Sequence, residues 1–341
     1  MLNFANDYAR SAHPAILAKL QATNLLPMAG YGFDEYTDCA KQKIKAICQC
    51  PDAEVHFLIG GTQTNLTIIK AMLAPYQGVL SADTGHINVH EAGAIEATGH
   101  KVLTLPHQHG KITARQIEDY LNGFYQDSSH RHKVFPGMVY ISHPTEYGTL
   151  YRQAELRQIS QVCKAFDIPL MLDGARLAYG LAAETDVDLA TIAQWCDVFY
   201  FGGTKAGLLF GEAVVFSTPQ FIPKQFHTIV KQQGALLAKG YLLGIQFDTM
   251  FSDGLYQTIG KQAVQHAQHI AQTLRQKGYS LLLTSPTNQQ FVILTHQQYE
   301  QLSKQVQFAF WDTYDDKRAI FRIATDWATT EQAVEQLLAL L

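Results

Sequence analysis

The sequence predicts an α/β protein with a large, mostly parallel sheet domain followed by a smaller C-terminal α+β domain. Between residues 54 and 203, short apolar runs alternate with helical patterns, which is typical of a parallel sheet covered by helices on both faces. Beyond about Asp253 the alternation stops, and a long helical pattern precedes three short strand-like runs. We therefore expect an N-terminal segment over residues 1–20, a large domain over 21–252 and a small domain over 253–341.

The expected elements of the large domain follow in a regular order. The strand-like runs are EVHFLIGG, GVLSAD, HKVLTLP, GMVYIS, IPLMLDGA and DVFYFGG. The helical patterns between them are TQTNLTIIKAML, HINVHEAGAIEATG, TARQIEDYLNGFYQD, RQAELRQISQVCKAF and VDLATIAQWC, which carry apolar residues at helical spacing. A second apolar run extends from Leu208 to Phe216, and residues 224–251 predict one long helical stretch that is broken or bent near its glycines.

The small domain is expected to begin with the helix YQTIGKQAVQHAQHIAQTLRQKG. The strand-like runs QFVIL, VQFAFW and AIFRIA follow, and the last helical pattern is TEQAVEQLLALL. Strands and helices that are not in strict alternation predict an α+β arrangement rather than a continuation of the parallel sheet.

Composition and charge exclude several classes of function. The 341 residues are 47% apolar and 16% charged, with a formal net charge of -4, so there is no electrostatic case for nucleic acid or an anionic membrane as partner. No apolar run has the length that spans a bilayer, and the N-terminus lacks the pattern of a signal peptide. The five scattered cysteines predict reduced thiols in a cytoplasmic protein rather than disulfides.

No metal site is expected. The C-x-C pair has no second cysteine pair, and the histidines of LPHQHGK and SSHRHK lie in predicted loops without a cysteine or carboxylate at ligand spacing. Solvated loops explain these histidines better than a zinc site does.

Four polar groups stand at the ends of predicted strands, where ligands bind in open α/β sheets. The first is the turn in FLIGGTQTNL, which includes Gly61 and Thr62. Glycines allow close approach of the backbone, and the first N–H groups of the following helix lack internal partners, so an anion can bind there. The alternative is an ordinary strand-to-helix turn with Thr62 as N-cap. The sequence matches neither a Walker motif nor a dinucleotide fingerprint.

The second and third groups are His86 and the pair of Asp173 and Arg176. Asp173 ends the apolar strand of IPLMLDGARLAYG and needs a partner there, because an unpaired buried charge is unfavourable. One interpretation is a salt bridge to Arg176. The other pairs Asp173 with a cationic heterocycle and leaves Arg176 for an anion or for the wall of the site.

The fourth group is Lys205, which stands between two apolar runs in DVFYFGGTKAGLLFGEAVVF. It is either a loop lysine with its amine in solvent or a desolvated amine that can attack a carbonyl. A nucleophilic lysine, a carboxylate for a pyridinium nitrogen and a phosphate-binding glycine turn together indicate pyridoxal 5'-phosphate.

The same motifs resemble those of the threonine aldolase/β-eliminating lyase family, in particular its low-specificity threonine aldolase branch. The resemblance extends through NDY, AHP, GYGFDEYT, HFLIGGTQTNL, GHINVHEAGAIEATGHKV, ISHPTEYGTLY, LDGARL, FGGTKAGLLFGEAVVF and FRIATDWATT. It implies a pyridoxal-phosphate-dependent transferase-like fold of type I. It also implies a lyase that cleaves L-threonine or L-allo-threonine to glycine and an aldehyde.

The resemblance implies a role for each candidate residue. Lys205 would bind the cofactor aldehyde, Asp173 would keep the pyridine nitrogen protonated, and His86 would stack on the ring. Gly61 and Thr62 would bind the phosphate, and Thr204 would assist them.

The resemblance also implies residues that bind the substrate. Arg176 and Arg322 would bind its carboxylate, although strand periodicity alone predicts that Arg322 points outward to solvent. Two positions depart from the family pattern: Glu146 stands where many members have a histidine, and His90 where many have an aromatic residue. Candidate bases for the β-hydroxyl proton are His86, Glu146, His90 and an ordered water.

Fold type I implies a homodimer or a homotetramer, with residues 30–37 as the expected contribution to a neighbouring site. The alternatives on the same fold are a β-eliminating lyase, an aryl-serine aldolase and a non-catalytic pyridoxal-phosphate-fold protein. A phosphate- or nucleotide-binding α/β protein that uses only the glycine turn is a further alternative.

Overall fold

The strands form a seven-stranded sheet, a four-stranded sheet and a two-stranded ladder in the computed structural model, which describes residues 1–341. The strands are β1 Leu2–Asn3, β2 Glu54–Leu58, β3 Gln77–Ala82, β4 Val102–Leu105, β5 Phe135–Ser142, β6 Leu170–Asp173, β7 Val198–Gly202, β8 Glu212–Phe216, β9 Ser280–Leu281, β10 Gln289–Thr295, β11 Val306–Gln307, β12 Ala309–Asp315 and β13 Arg318–Ala324.

Fourteen α-helices connect and cover these strands. They are α1 Pro14–Thr23, α2 Glu35–Ile47, α3 Gly61–Met72, α4 His86–Val89, α5 Ala94–Ala97, α6 Ala114–Gln126, α7 Gln153–Ala165, α8 Leu177–Ala182, α9 Leu189–Trp195, α10 Phe226–Gln232, α11 Tyr241–Met250, α12 Leu255–Gln276, α13 His296–Leu302 and α14 Glu331–Leu340. Short 3₁₀ helices occupy His130–His132 and Pro219–Phe221. None of the helices is both long enough and apolar enough to cross a membrane.

The large sheet has the strand order β2-β8-β7-β6-β5-β3-β4. Only β8 runs antiparallel to its neighbours, and the other pairs are parallel, so the predicted mostly parallel sheet is confirmed. Side chains of β7 alternate between two apolar layers: Val198 and Tyr200 pack on one face, and Phe199 and Phe201 on the other. Because both faces are covered by helices, these strands appear in the sequence as continuous apolar runs.

The four-stranded sheet of the small domain has the order β12-β13-β10-β9 and is antiparallel throughout. The N-terminal strand β1 pairs in parallel with β11, and Phe4 packs in the same apolar cluster as Val306 and Leu337. The first residues of the chain therefore join the small domain. The expected boundary between residues 20 and 21 falls within α1, and the proposed domain limits stay a prediction.

Glycines and left-handed residues divide two of the predicted helices. The pattern HINVHEAGAIEATG forms α4 and α5, separated at Ala92 and Gly93, whose φ angles are 52° and 73°. The long stretch predicted to be broken or bent near its glycines forms α10 and α11, with Gly234 at φ 72° between them, so this expected break is confirmed. A helix ends where a residue adopts the left-handed conformation, and helical periodicity does not reveal that local change.

Candidate active site

All ten residues predicted to form the site line one cleft with two adjoining cavities. The inner cavity, of about 360 Å³, lies at the carboxyl ends of β2, β6 and β7. The outer cavity, of about 610 Å³, extends to strands β12 and β13 of the small domain. The ten residues are Gly61, Thr62, His86, His90, Glu146, Asp173, Arg176, Thr204, Lys205 and Arg322. Strand ends from distant parts of the chain thus meet in one place, as expected for an α/β sheet.

Lys205 lies just beyond β7 and lines both cavities. Its backbone carbonyl accepts a hydrogen bond of 2.6 Å from the hydroxyl of Tyr179, which fixes the turn. Burial lowers the pKa of the Lys205 amine, and the positive charge of Arg176 lowers it further. A lysine whose proton is easily lost can act as a nucleophile toward an aldehyde.

Asp173 ends β6 and is buried. Its carboxylate accepts hydrogen bonds from the hydroxyl of Tyr140, from Nδ2 of Asn65 at 3.1 Å and from the backbone N–H of Ala175 at 2.9 Å. Burial alone would raise the pKa of Asp173, but nearby His86 and the hydrogen bonds lower it below its ordinary value. Asp173 is therefore an anion in the inner cavity, which suits it to pair with a protonated ring nitrogen.

Arg176 is paired with Asp7 rather than with Asp173, so the predicted alternative of an Asp173–Arg176 salt bridge is wrong. Its Nε donates to Oδ2 of Asp7 at 2.7 Å, and its Nη2 donates to Oδ1 at 3.0 Å. Asn288 donates a third hydrogen bond to Asp7 at 3.0 Å. The bidentate pair fixes the plane of the guanidinium and leaves Nη1 for a ligand in the cavity.

Arg322 lies on β13 and lines the outer cavity. Its Nη1 donates to Oε1 of Gln289 at 3.3 Å, its Nη2 donates to the carbonyl of Ala5 at 3.1 Å, and its guanidinium lies 5.6 Å from the ring centroid of Trp311. The expectation of a solvent-facing arginine is corrected: the strand does alternate, but this face is the wall of the cleft. Burial and the charge of Arg176 lower the pKa of Arg322 to about 10.

His86 begins α4, and its ring is oriented by a buried carboxylate. Its Nδ1 lies 2.8 Å from Oε1 of Glu91, and Nδ2 of Asn65 donates to the same oxygen at 2.7 Å. Asn65 also donates to Asp173. One amide thus connects the histidine with the aspartate, and Nε2 of His86 remains for a ligand.

Glu146 and His90 complete the wall near His86. Oε1 of Glu146 accepts hydrogen bonds from the backbone N–H of His86 at 3.0 Å and from the hydroxyl of Ser142 at 2.6 Å, while its buried Oε2 has no protein partner. Burial raises the pKa of Glu146. Burial also lowers the pKa of His90, whose ring centroid is 5.5 Å from that of His86. Both residues therefore lie where a substrate substituent would bind.

The glycine turn provides open space at the start of a helix. Gly60, not Thr62, occupies the N-cap position of α3, so the interpretation of Thr62 as the cap is wrong and its exposed side chain is free for a ligand. A Cβ built on Gly60 would meet no atom within 4 Å, and one on Gly61 would lie 3.6 Å from the hydroxyl of Tyr200. The buried hydroxyl of Tyr200 lies close to the carboxylate of Asp173. The space and the unpaired N–H groups fit a phosphate ester.

Together these groups fit pyridoxal phosphate. Its phosphate would bind at Gly61 and Thr62, its ring nitrogen at Asp173 and its aldehyde carbon at Lys205. No group of three or more His, Cys, Asp or Glu side chains is arranged to hold a metal ion.

Comparisons with known proteins give the family. The model of the β-eliminating lyase family matches residues 10–301. This chain belongs to the β-eliminating lyase family. A low-specificity L-threonine aldolase of a Pseudomonas species is 29% identical over 98% of this chain and 96% of its own length. The low-specificity L-threonine aldolase of Pseudomonas aeruginosa is 30% identical over 88% of this chain and 86% of its own length.

Solved structures agree with the assignment to the β-eliminating lyase family. The threonine aldolase of Leishmania major has a TM-score of 0.96 and 40% identity, and the match covers 100% of this chain and 98% of that one. An aspartate aminotransferase of Thermus thermophilus has a TM-score of 0.73 at 11% identity, over 100% and 90% of the two chains, and shows a shared fold alone. The predictions of a type I fold, of a lyase and of pyridoxal phosphate as cofactor are confirmed.

Three acidic residues of this β-eliminating lyase family member were missed by the sequence analysis. Asp7 pairs with Arg176, Glu91 holds His86, and Glu212 bonds the hydroxyl of Thr204 at 2.9 Å. Asp7 and Glu91 lie within motifs that carry the family resemblance, NDY and HEAG, and this was the available signal. The partner of Asp7 could not be recognised, because Asp7 and Arg176 are 169 residues apart.

Proposed function

We propose that this chain cleaves L-threonine, L-allo-threonine or a related β-hydroxy-α-amino acid to glycine and an aldehyde. The proposal is carried by one observation: Lys205, Asp173 and the two arginines Arg176 and Arg322 converge on a single cleft. These groups suit an amino acid that reacts on pyridoxal phosphate. The similarity to threonine aldolases along nearly the whole chain supports the choice of substrate.

The two arginines would bind the carboxylate of the substrate. Arg176 is already oriented by Asp7, and Arg322 by Gln289 and the carbonyl of Ala5. Charge-assisted hydrogen bonds from guanidinium groups to a carboxylate are strong and directional. Fixing this end of the substrate restricts rotation at Cα, so that the Cα–Cβ bond is held in one orientation for cleavage.

Lys205 and Asp173 would act on the cofactor. Lys205 holds it through its amine, and the anionic carboxylate of Asp173 keeps a proton on the ring nitrogen. When bound, pyridoxal phosphate supplies a sink for the electron pair left on Cα as the Cα–Cβ bond breaks. The buried hydrogen bonds of Asp173 keep its carboxylate ionised, and that charge favours the protonated ring.

The base that removes the β-hydroxyl proton is assigned to His86. Its Nδ1 is held by Glu91, so the ring donates there and its Nε2 carries the free lone pair. A histidine with a fixed tautomer and an open Nε2 can accept a proton from a hydroxyl. His90 and Glu146 would then contact the β-substituent.

The test is release of acetaldehyde from L-threonine by the purified protein loaded with pyridoxal phosphate. Lys205→Ala is the control. It should bind no cofactor covalently and should release no acetaldehyde. Pyruvate and ammonia would instead indicate β-elimination. Failure of the yellow wild-type protein to release acetaldehyde from either threonine isomer contradicts the proposed substrate.

An aryl-serine substrate is the second candidate, because the outer cavity has an aromatic wall. Tyr147, Phe310 and Trp311 line its volume of about 610 Å³, and rings of Tyr147 and Trp311 meet edge-on at 5.3 Å. An aryl substituent could pack against this wall. A kcat/KM for phenylserine above that for threonine would select this candidate.

A homodimer or homotetramer in the cytoplasm completes the proposal. Exposed apolar side chains near the N-terminus support the oligomer: Leu25, Leu26 and Phe33 are 91%, 52% and 69% exposed, and exposed apolar surface of this kind is typical of interfaces. Phe33 belongs to residues 30–37, the segment expected to reach a neighbouring site. Sedimentation of Phe33→Ser and wild-type protein would test this, with dissociation expected only for the variant.

A further inference from the structure

Glu212 is a buried acidic residue at the inner cavity to which the proposed function gives no role. It begins β8, is 3% exposed and lines the cavity with Gly61 and Thr62. It pairs in register with Leu58, the last residue of β2, and the glycine turn follows β2 directly. The carboxyl group therefore lies at the same end of the sheet as the expected phosphate position.

Every oxygen of Glu212 has a defined neighbour. Its Oε2 accepts a hydrogen bond of 2.9 Å from the backbone N–H of Gly203, and its Oε1 lies 2.9 Å from Oγ1 of Thr204. Oγ1 of Thr204 also accepts a hydrogen bond of 3.2 Å from the N–H of Gly211. When Glu212 is ionised, the only proton of the Thr204 hydroxyl must be donated to Oε1, because a carboxylate has no proton to offer.

Ionised Glu212 is therefore incompatible with the role expected of Thr204. A phosphate ester offers only acceptor oxygens, so Thr204 must donate its proton to bind it. A protonated Glu212 solves this conflict: it donates to Oγ1 of Thr204, which keeps the bond from Gly211 and turns its own proton toward the phosphate. Oε2 still accepts from Gly203, so no hydrogen bond of the protein is lost.

The charges around Glu212 favour the same protonation state. The ionisable groups that face it are the amine of Lys205, the carboxylate of Asp173 and the neutral hydroxyls of Tyr200 and Tyr256. Burial raises the pKa of Glu212 to about 8, although the hydrogen bonds and Lys205 oppose the rise. A phosphate dianion at the glycine turn would add repulsion and favour the neutral carboxyl further.

We propose that Glu212 takes up one proton when the cofactor phosphate binds, and that the neutral carboxyl then directs the Thr204 hydroxyl to the phosphate. The proton comes from solvent, and no other bond is made or broken. The inference rests on the cofactor site of the proposed function. In it Glu212 is a positioning residue, because it acts on the cofactor through Thr204.

The experiment measures proton uptake on binding by titration calorimetry of the apoenzyme in buffers of different ionisation enthalpy. The probe is 4'-deoxypyridoxine 5'-phosphate, which has no aldehyde, so that Lys205 does not react. At pH 9 we expect the wild-type protein to take up about one proton more than Glu212→Gln. The amide of this variant donates to Thr204 at every pH, so above the pKa of Glu212 the affinity of the wild type should fall more steeply with pH than that of the variant, by up to about tenfold per pH unit.

Two variants make the result specific. Glu118→Gln removes an exposed carboxylate on α6 and should behave as the wild type. Thr204→Val should weaken phosphate binding. It should also lose the extra proton uptake that distinguishes the wild type from Glu212→Gln. Circular dichroism verifies that each variant is folded. If Glu212→Gln does not fold, the proton uptake of the wild type is compared with that of Thr204→Val instead.

Equal proton uptake by the wild type and Glu212→Gln would overturn the proposal, as expected if Glu212 stays ionised beside Lys205. Unchanged uptake in Thr204→Val would overturn it as well. Failure of the wild type to bind the probe would refute the cofactor site and this proposal together. Failure to cleave threonine, with proton uptake as expected, would refute only the proposed substrate.

Discussion

Replacing Asp7 with asparagine tests whether the buried ion pair with Arg176 supports both the fold and the cleft. The change keeps the size of the side chain and removes its charge. Asp7 is 1% exposed and accepts two hydrogen bonds from Arg176 and one from Asn288. Removing one partner of a buried pair costs about 3–5 kcal/mol. We expect the lower end, about 3 kcal/mol, because the amide oxygen can still accept a hydrogen bond.

The stabilisation of the folded state by ionised Asp7 should depend on pH, in a direction set by the pKa of Asp7. Burial alone would raise the pKa of Asp7, but the charges of Arg176 and Lys205 lower it well below its ordinary value of 3.8. A depressed pKa stabilises the folded state above the unfolded pKa, and this stability is lost as the pH falls through the folded pKa. The difference in unfolding free energy between wild type and Asp7→Asn should be constant from pH 7 to pH 5 and narrow below about pH 4.

The assay is urea denaturation at several pH values, followed by circular dichroism. Asp315→Asn is the matched control, since its partner Arg318 and Asp315 itself are both exposed, and exposed pairs contribute little. We expect no measurable shift for this control. Unchanged stability of Asp7→Asn at pH 7 would refute the reasoning. So would a difference in unfolding free energy between the wild type and Asp7→Asn that does not narrow between pH 5 and pH 3.

Three further variants probe the cleft. Lys205→Ala should lose both the absorbance of covalently bound cofactor and threonine cleavage; retention of either contradicts its assigned role. Asp173→Asn should reduce kcat by at least about 10²-fold because it removes the charge that favours the protonated ring, and an unchanged kcat would refute this. Arg322→Ala should raise KM for threonine about 10–100-fold, the effect of one or two charge-assisted hydrogen bonds, whereas Arg318→Ala, on the exposed end of the same strand, should leave KM unchanged.

The sheet could be predicted because its strands are buried on both faces and are short, apolar and regularly spaced. β7, for example, is buried at all five positions, and it appears in the sequence as an uninterrupted apolar run. The break near Gly234 could be predicted from the glycines of residues 224–251, but the division at Gly93 could not, since many glycines occur within helices and only the backbone angle distinguishes a break. The antiparallel direction of β8 likewise leaves no mark in a run that is apolar at every position but its first.

The candidate site shows a similar limit for pairs of residues. Lys205 and Asp173 could be recognised because a charged residue after an apolar strand is unusual by itself. Arg322 could not be placed by periodicity, because alternation tells which residues share a face but not whether that face meets solvent or another domain. Asp7, Glu91 and Glu212 act through partners. The partner of Asp7 is defined only when distant segments meet, and those of Glu91 and Glu212 depend on the local backbone path.

The charges of the outer cavity also bear on the choice of substrate. Two guanidinium groups, those of Arg176 and Arg322, line this cavity, and that of Arg176 is paired with Asp7. Burial lowers the pKa of Arg322 and that of Lys205, and the positive charge of Arg176 lowers both further. A carboxylate bound between the two guanidinium groups would offset their mutual repulsion, whereas an amine without a carboxylate would add positive charge beside them. Binding of the amino-acid carboxylate would therefore stabilise Arg322, which has no carboxylate partner in the protein, next to the paired Arg176, which is why we expect the α-carboxylate to matter more for affinity than the β-substituent.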